Sequence, residues 1–353
     1  MKPYASSIAQ FIVVSVVAVV TLAPSGAPLV DTTFARSFYP PLQGVLTAAS
    51  NRIGASLFDV TMIALAVMLM GGWAWWIRGA RRQRSLWPLV RGLAATVTGA
   101  SVVYLWFLTV WGFNYERVPM ASRVSYDATR VTPVAVRLLA ERAVAQANGT
   151  YDEAHRVGFP SLGDVPPTLV VALHEVEREL GRPQPTVPAH PKWSIFTPYF
   201  RATGVSGMLA PFFLETLINP DLTGPERPLV LAHEWAHLSG FAPESEASFV
   251  GVITALRADV PSQYSAWLDL VTEATNQLQP VTRRQVLAHL APGPVADQQA
   301  INRRLERMVR PVQIAAWATY DRMLKSQGVE EGVQSYSRVI QLLLATNALR
   351  IAP

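Results

Sequence analysis

Two long apolar runs, separated by a cluster of arginines, constrain the fold of this chain more than any other feature. The runs cover about residues 57–77 and 92–113, and each is close to the roughly 20 residues that a helix needs to cross a bilayer. The loop between them carries five arginines and no acidic residue. Because arginine-rich loops stay in the cytoplasm, we expect the first run to enter the membrane from outside and the second to leave it again.

A shorter apolar run at about residues 8–23 follows Lys2 and precedes an Ala-Pro-Ser-Gly-Ala segment that could serve as a signal-peptidase site. We favour an uncleaved span here, because two further spans follow it. The sequence then predicts three transmembrane helices within residues 1–113. With the N-terminus in the cytoplasm, everything after Phe113 is expected outside the cytoplasmic (inner) membrane of a bacterium.

The composition fits one membrane region followed by one sizeable soluble domain. Of the 353 residues, 50% are hydrophobic and only 16% are charged. The five loop arginines account for the whole net charge of +5, so the basic balance indicates membrane topology and not nucleic-acid binding. The chain has no cysteine, which excludes disulfides and thiolate metal ligands.

The residues that carry chemistry form an H-E-x-x-H pattern, His233, Glu234 and His237. Side chains four residues apart lie on one face of a helix, so the two imidazoles can bind one metal ion. Glu234 would project beside the metal, where it can hold a water molecule and accept its proton. The surrounding Leu229–Leu238 segment is mostly apolar but only about half the length of a membrane span. We therefore expect a buried helix of the soluble domain.

The residues after the pattern supply a third metal ligand. Gly240 can end the helix with a positive φ angle, and Glu244 follows where a new helix is expected to begin. Two histidines and one acid, with the fourth position left for water, are typical of a hydrolytic zinc site. Glu246 is the alternative third ligand, but it points to a different face, so only one of the two acids is expected to bind. Ser248, one turn after Glu244, would support the site as a hydrogen-bond donor.

Residues 203–219 look like one or two short strands with a turn. Zinc peptidases present an edge strand beside the metal helix, to which an extended substrate can add. This segment is the candidate for that strand, with Glu215 and Asn219 as candidate cleft residues. Tyr264 is a further candidate, because its hydroxyl could donate a hydrogen bond to an oxyanion. A plain structural role is the competing interpretation for these residues.

Eight segments spread along the chain carry a resemblance to a known family. In order they are W-G-F-N-Y-E-R at 111–117, V-S-G at 205–207, P-F-F-L-E-T-L-I-N at 211–219, H-E-W-A-H-L-S-G-F at 233–241, E-S-E-A-S-F at 244–249, Y-S at 264–265, Y-D-R-M-L-K at 320–325 and G-V-Q-S-Y at 332–336. They resemble a bacterial family known as a domain of unknown function, made of three-span membrane proteins with a zinc-metallopeptidase-type domain outside the membrane. That family typically has Asn where this chain has Ser248.

The resemblance implies a mainly α (α+β), zincin-like soluble domain at residues 114–353 with a small β element, preceded by the three transmembrane helices. The chain is also more distantly similar to zinc peptidases whose third ligand lies in an E-x-x-A-[N/D] helix. That pattern aligns with E-S-E-A-S at 244–248 and favours Glu244 over Glu246. Neither resemblance implies a substrate.

We therefore expect a membrane-anchored zinc metallohydrolase, first of all a peptidase, with one Zn²⁺ held by His233, His237 and Glu244. Glu234 is the expected general base. Another divalent ion with similar ligand preference fits the same residues. Two alternatives stay open: a non-catalytic membrane-bound interaction or assembly protein with a structural metal site, and an amidase that acts on cell-wall peptide. The expected partners are the lipid bilayer and a peptide or protein substrate, and no nucleic acid.

Overall fold

The computed structural model describes residues 10, 12–17, 26–326 and 338–349. In these residues the fold is mainly helical with one small sheet, which confirms the coarse fold class predicted from the sequence. Of the predicted first span, only residues 10 and 12–17 are described, as helix. The remainder of that span and the G-V-Q-S-Y segment at 332–336 lie outside the described residues.

The helices and strands follow in this order. Before the sheet come α1 (Ala27–Val30), α2 (Tyr39–Asn51), α3 (Leu57–Gln83), α4 (Trp87–Val110), α5 (Pro133–Val157) and α6 (Pro167–Glu179). The sheet region contains β1 (Pro191–Lys192), α7 (Thr197–Thr203), β2 (Gly207–Ala210) and β3 (Glu215–Ile218). After it come α8 (Arg227–Leu238), α9 (Glu244–Arg257), α10 (Val260–Asn276), α11 (Pro280–Leu287), α12 (Pro292–Leu305), α13 (Arg310–Ser326) and α14 (Val339–Ala345).

Two helices of the described residues, α3 and α4, are long and apolar enough to cross a membrane. They pack against each other, and most of their apolar side chains are exposed, as a lipid-facing surface would be. Arg84 ends α3 in the left-handed conformation, with φ at 47°, and the arginine-rich loop turns the chain into α4. The sequence predicted three spans; the described residues contain these two.

The N-terminal helices pack on the helices that follow α4, although the sequence grouped them with the membrane region. A π-helical stretch at Asp31–Phe38 joins α1 to α2. The Tyr39 hydroxyl donates to the backbone carbonyl of Leu238 at 2.8 Å, and the Thr47 hydroxyl donates to the carbonyl of Leu214 at 3.1 Å. Val30, Phe34 and Tyr39 are buried in the same apolar core as α8, α9 and α10.

The small sheet places one edge strand beside the helical core. Its strand order is β1-β3-β2, with β1 parallel and β2 antiparallel to β3. In the β2–β3 register, Gly207 lies opposite Ile218 and Ala210 lies opposite Glu215. Among the described strands, β2 therefore pairs on one side only. It packs against α8, as the sequence suggested for residues 203–219.

Candidate metal centre

Helix α8 is defined at both ends by the local sequence. Thr223 and Glu226 form a capping box just before it, with the Glu226 carboxylate accepting from the Thr223 N–H at 2.9 Å. At the other end Gly240 has a φ of +87°, a conformation that costs glycine little because it lacks a Cβ. This turn reverses the chain, so that α9 returns alongside α8 and brings its first residue to the histidines.

His233, His237 and Glu244 converge on one point. The two imidazole rings are perpendicular, with centroids 4.7 Å apart. Oε2 of Glu244 lies 3.3 Å from Nε2 of each histidine. One potential ligand atom from each residue lies within 4.8 Å of the others. Close packing of the two helices makes this convergence feasible, since a Cβ added at Gly251 of α9 would lie 3.0 Å from the backbone of His233.

The other nitrogen of each ring is engaged by the protein. Nδ1 of His237 hydrogen-bonds to the carbonyl oxygen of Phe241 at 2.9 Å. Nδ1 of His233 lies 3.3 Å from the hydroxyl of Ser248, the residue that the sequence selected as a supporting donor. A ring that donates from Nδ1–H to a carbonyl is held in the tautomer whose Nε2 lone pair is free for a metal. His237 is thus held with Nε2 available to the centre, and Nε2 of His233 lies on the same side, 3.3 Å from Oε2 of Glu244.

Two tyrosines that the sequence analysis assigned no role complete the surroundings of Glu244. The Tyr320 hydroxyl, from α13, donates to Oε1 of Glu244. Tyr115, in the 3₁₀ turn at Gly112–Glu116 after α4, hydrogen-bonds to Tyr320. Burial, and after it the negative charge of Glu244, raises the pKa of Tyr115, so this phenol stays protonated. Oε1 of Glu244 is thereby occupied, while Oε2 faces the histidines.

Glu234 lies beside the cluster, between α8 and the edge strand. It is buried, and its Oε2 has no hydrogen-bond partner among the described residues. The backbone N–H of Leu209 in β2 hydrogen-bonds to the same carboxylate. A Cβ added at Gly207 would come within 2.7 Å of Oε1, so only glycine allows the strand to approach this closely. Burial raises the pKa of Glu234.

Opposing effects act on the charged forms of the two buried candidate ligands, His237 and Glu244. Burial lowers the pKa of His237, but the Glu244 carboxylate, together with Glu234 and the Phe241 carbonyl, outweighs burial and raises this pKa to about 9. Burial also opposes the charge of Glu244, yet the two histidines hold the pKa of this carboxyl well below its usual range. In the absence of a metal, Glu244 and His237 therefore stabilise each other as an ion pair.

The donor set fits Zn²⁺. Two imidazole Nε2 atoms and one carboxylate oxygen are the ligand types that catalytic zinc sites use, with a fourth position left open. The side chain of His233 is 20% exposed whereas that of His237 is 8% exposed, so the centre opens to solvent on the His233 side. Within the described part of the chain, no other group of three such residues has its ligand atoms this close together.

A known protein family matches most of the chain. The sequence matches the family described as "Protein of unknown function (DUF3810)" over residues 34–344, which is most of the chain. The chain belongs to this family. The matched range contains α3, α4 and every residue of the candidate metal centre described above. No curated protein and no solved structure matches the chain.

The remaining candidate site residues from the sequence lie away from the histidine cluster. Glu246 points away from the histidines: its carboxylate accepts from the backbone N–H of Met120 at 2.7 Å and from Arg123 at 3.3 Å. The Asn219 side chain is buried and donates to the carbonyl of Val205 at 2.9 Å. The Tyr264 hydroxyl donates to Asp297 at 2.6 Å. These groups hold loops and helices together and do not join the cluster.

Glu215 is also occupied elsewhere. Its Oε1 accepts from Lys192 Nζ at 2.7 Å and from Ser50 at 3.0 Å. Its two oxygens also accept from the backbone N–H groups of Leu57 and Phe58 at 3.0 and 2.8 Å, at the start of α3. A carboxylate at a helix N-terminus satisfies N–H groups that have no partner within the helix. Glu215 therefore fastens the sheet to α3 and does not face the histidine cluster.

Proposed function

We propose that this protein is a membrane-anchored zinc peptidase. The observation that supports this most strongly is the convergence of His233, His237 and Glu244 beside a buried Glu234. One oxygen of Glu234 has no hydrogen-bond partner among the described residues. A bound Zn²⁺ would act as a Lewis acid that polarises the substrate carbonyl and lowers the pKa of water. A structural metal site would not need a buried carboxylate such as Glu234 beside it, whereas a catalytic site needs a general base there.

Glu234 is the proposed general base. Burial raises its pKa towards the pH of the reaction, where a general base can both accept and release a proton. It accepts one proton from the attacking water as the oxygen–carbon bond forms. It then gives this proton to the nitrogen of the leaving amine as the carbon–nitrogen bond breaks. The carboxylate is thereby restored at the end of each turnover.

The edge strand and the tyrosines orient the reaction. An extended peptide can add to the edge of β2 that pairs with no described strand, next to Glu234. Tyr320 holds Oε1 of Glu244, so Oε2 keeps its direction toward the histidines. Such a supporting hydrogen bond limits the rotation of a carboxylate ligand and favours one geometry of the site.

The proposed location follows from α3 and α4. The loop between them is rich in arginine, which favours its placement in the cytoplasm. The domain that follows α4 then lies outside the inner membrane. A periplasm-dependent reporter enzyme fused after the last residue tests this placement, with activity expected outside the cytoplasm. A reporter that works only in the cytoplasm would overturn it.

The catalytic part of the proposal is tested with the full chain in detergent. Hydrolysis of a quenched fluorescent peptide library by the zinc-loaded protein is compared with that by Glu234→Gln, with zinc content measured in both. Hydrolysis that Glu234→Gln abolishes without loss of zinc supports the peptidase. Equal hydrolysis by both proteins would exclude Glu234 as the base. A zinc-loaded protein that hydrolyses no peptide would favour a structural metal site.

A further inference from the structure

The end of the second membrane helix packs directly on the metal-binding helix. Trp111, the residue after α4, donates its indole N–H to the carbonyl of His237 at 3.2 Å. Its ring packs edge-on against the His237 imidazole, with centroids 6.3 Å apart. Arg117 follows, donating to the carbonyl of Gly240 at 2.9 Å. The metal centre is therefore fixed to the membrane helix by short contacts and not by a flexible linker.

The turn between β2 and β3 lies at the outer ends of both membrane helices. The Phe212 ring stacks on Phe58 in the first turn of α3, with centroids 6.2 Å apart and an interplanar angle of 17°. The carbonyl of Phe212 accepts from the indole N–H of Trp106 in α4 at 3.0 Å. Trp106 is four residues before the end of α4, about 6 Å along the helix axis. The tip of this hairpin thus lies at the level where the chain meets the bilayer.

A second loop lies at the same level. Ser194 donates to Asp59 in the first turn of α3 at 2.6 Å, and the N–H of Ile195 donates to the same carboxylate at 2.8 Å. Next to it, the Trp193 side chain is 68% exposed and Ile195 is 47% exposed. Exposed tryptophan beside the end of a membrane helix is typical of the membrane–water interface. With α3 and α4 in the membrane, as proposed above, this face of the domain lies on the bilayer surface.

Strand β2 connects the bilayer surface to the general base. It starts at Gly207, against Glu234, and ends at Ala210, next to the turn that carries Phe212. With about 3.4 Å per residue, the strand covers about 10 Å between these two ends. A substrate strand paired with this edge would run from the membrane to Glu234 over the same distance.

We propose that the substrates are membrane-anchored polypeptides, cut in the extracytoplasmic segment about three to six residues from the bilayer surface. This inference rests on the proposed peptidase function and adds the class of substrate. Strand β2 sets the distance: its membrane end receives the substrate where it leaves the lipid, and its other end presents the bond to Glu234. Hydrolysis adds hydroxyl to the carbonyl carbon and hydrogen to the amine, and it releases the outer part of the substrate.

The test uses the zinc-loaded full chain in lipid nanodiscs and a set of designed substrates. Each substrate carries one transmembrane helix followed by a repeating, equivalent peptide sequence of about 3, 6, 12 or 20 residues and a soluble reporter. The same repeat without a membrane helix is the matched control. Mass spectrometry locates the cut. We expect cuts at a constant distance from the membrane in the longer repeats, and at least about tenfold slower cleavage of the soluble control, because anchoring raises the effective concentration.

A second measurement does not depend on activity. Glu234→Gln is mixed with anchored and soluble peptides that carry a photo-crosslinking residue about four positions from the membrane helix. We expect crosslinks from the anchored peptide to residues 205–210. Cuts spread evenly along the repeat, or equal cleavage of the soluble control, would overturn the membrane-distance inference and leave the peptidase intact. If nothing is cut, the peptidase proposal fails. In that case, crosslinks of the anchored peptide to residues 205–210 would still support binding of membrane-anchored polypeptides along β2. Absence of these crosslinks would overturn that binding as well.

Discussion

Two buried carboxylates in this protein, Glu215 and Glu234, lie at opposite ends of the same small sheet and have opposite surroundings. Glu215 accepts hydrogen bonds from Lys192, from Ser50 and from two backbone N–H groups at the start of α3. Glu234 has the Leu209 N–H as a partner, and its Oε2 has none among the described residues. The first carboxylate is fully satisfied, whereas the second is buried at a cost.

The difference separates a structural role from a chemical one. A buried charge with a full set of donors stabilises one conformation, and removing a partner leaves that charge uncompensated. A buried acid with a free oxygen beside potential metal ligands destabilises the fold locally but is ready to carry a proton. Removing the partner of Glu215 should therefore lower stability without changing the candidate metal site. Replacing Glu234 should lower activity without lowering stability.

The largest effect is expected from Glu234→Gln. Loss of the general base should lower the turnover number by roughly 10²–10⁴-fold. Because glutamine removes a poorly compensated buried charge, the melting temperature should stay the same or rise. Peptide hydrolysis and thermal unfolding of the zinc-loaded protein measure the two quantities. A marked loss of stability would show that Glu234, like Glu215, is structural.

The opposite outcome is expected from Lys192→Met. The Lys192–Glu215 pair is almost completely buried, so Glu215 would lose its counter-ion, at a cost of about 3–5 kcal/mol of folding free energy. Zinc content of the folded protein should not change. Thermal unfolding in detergent measures the loss, and the double variant Lys192→Met/Glu215→Gln should recover most of it.

The matched control for this pair is Arg201→Met. It breaks the ion pair with Asp221, in which the arginine side chain is 48% exposed, and should cost much less folding free energy than loss of the buried pair, because solvent screens exposed ion pairs. Equal losses from Lys192→Met and Arg201→Met would contradict the structural role given to Glu215.

A smaller effect is expected from Tyr320→Phe. This change removes the hydroxyl that donates to Oε1 of Glu244 and keeps the ring. Loss of a supporting hydrogen bond to a metal ligand typically lowers metal affinity roughly 10–100-fold. Competition with a zinc chelator measures the affinity, and Tyr126→Phe, at an exposed tyrosine, is the control. Unchanged affinity would leave Tyr320 as a packing residue.

The smallest effect is expected from Ser248→Ala. The Ser248 hydroxyl lies 3.3 Å from Nδ1 of His233, which is long for a hydrogen bond. A bond of this kind contributes at most about 1 kcal/mol, so zinc affinity should fall roughly two- to fivefold. Ser248→Asn should retain or improve the affinity if its longer side chain reaches the ring. The same chelator competition ranks the three proteins.

Local spacing in the sequence was enough to identify the candidate metal ligands, because all three lie within a short stretch of the chain. The four-residue step from His233 to His237 and the glycine turn before Glu244 predicted a cluster that the fold brings together. The same local pattern placed Glu246 on another face, where the fold puts it against Arg123.

Contacts between distant segments could not be read from local patterns. Tyr115 and Tyr320 reach Glu244 from more than 75 positions away; both lie in segments that carried the family resemblance, but nothing there indicated a role. Gly207 contacts Glu234 only through the packing of β2 on α8. Glu215 and Asn219 were candidates because of their strand, and the fold turns both into other buried networks.

The most direct test of the account is the metal content of the purified full chain by elemental analysis. The full chain is required because α2 and the end of α4 pack on the metal-binding helix. Wild type is compared with Glu244→Gln and with Glu246→Gln, two isosteric changes within one helix turn. The account predicts about one zinc per chain, lost in Glu244→Gln and kept in Glu246→Gln. A well-folded wild-type protein that binds no zinc would contradict the assigned metal centre. Loss of zinc in Glu246→Gln but not in Glu244→Gln would also contradict it.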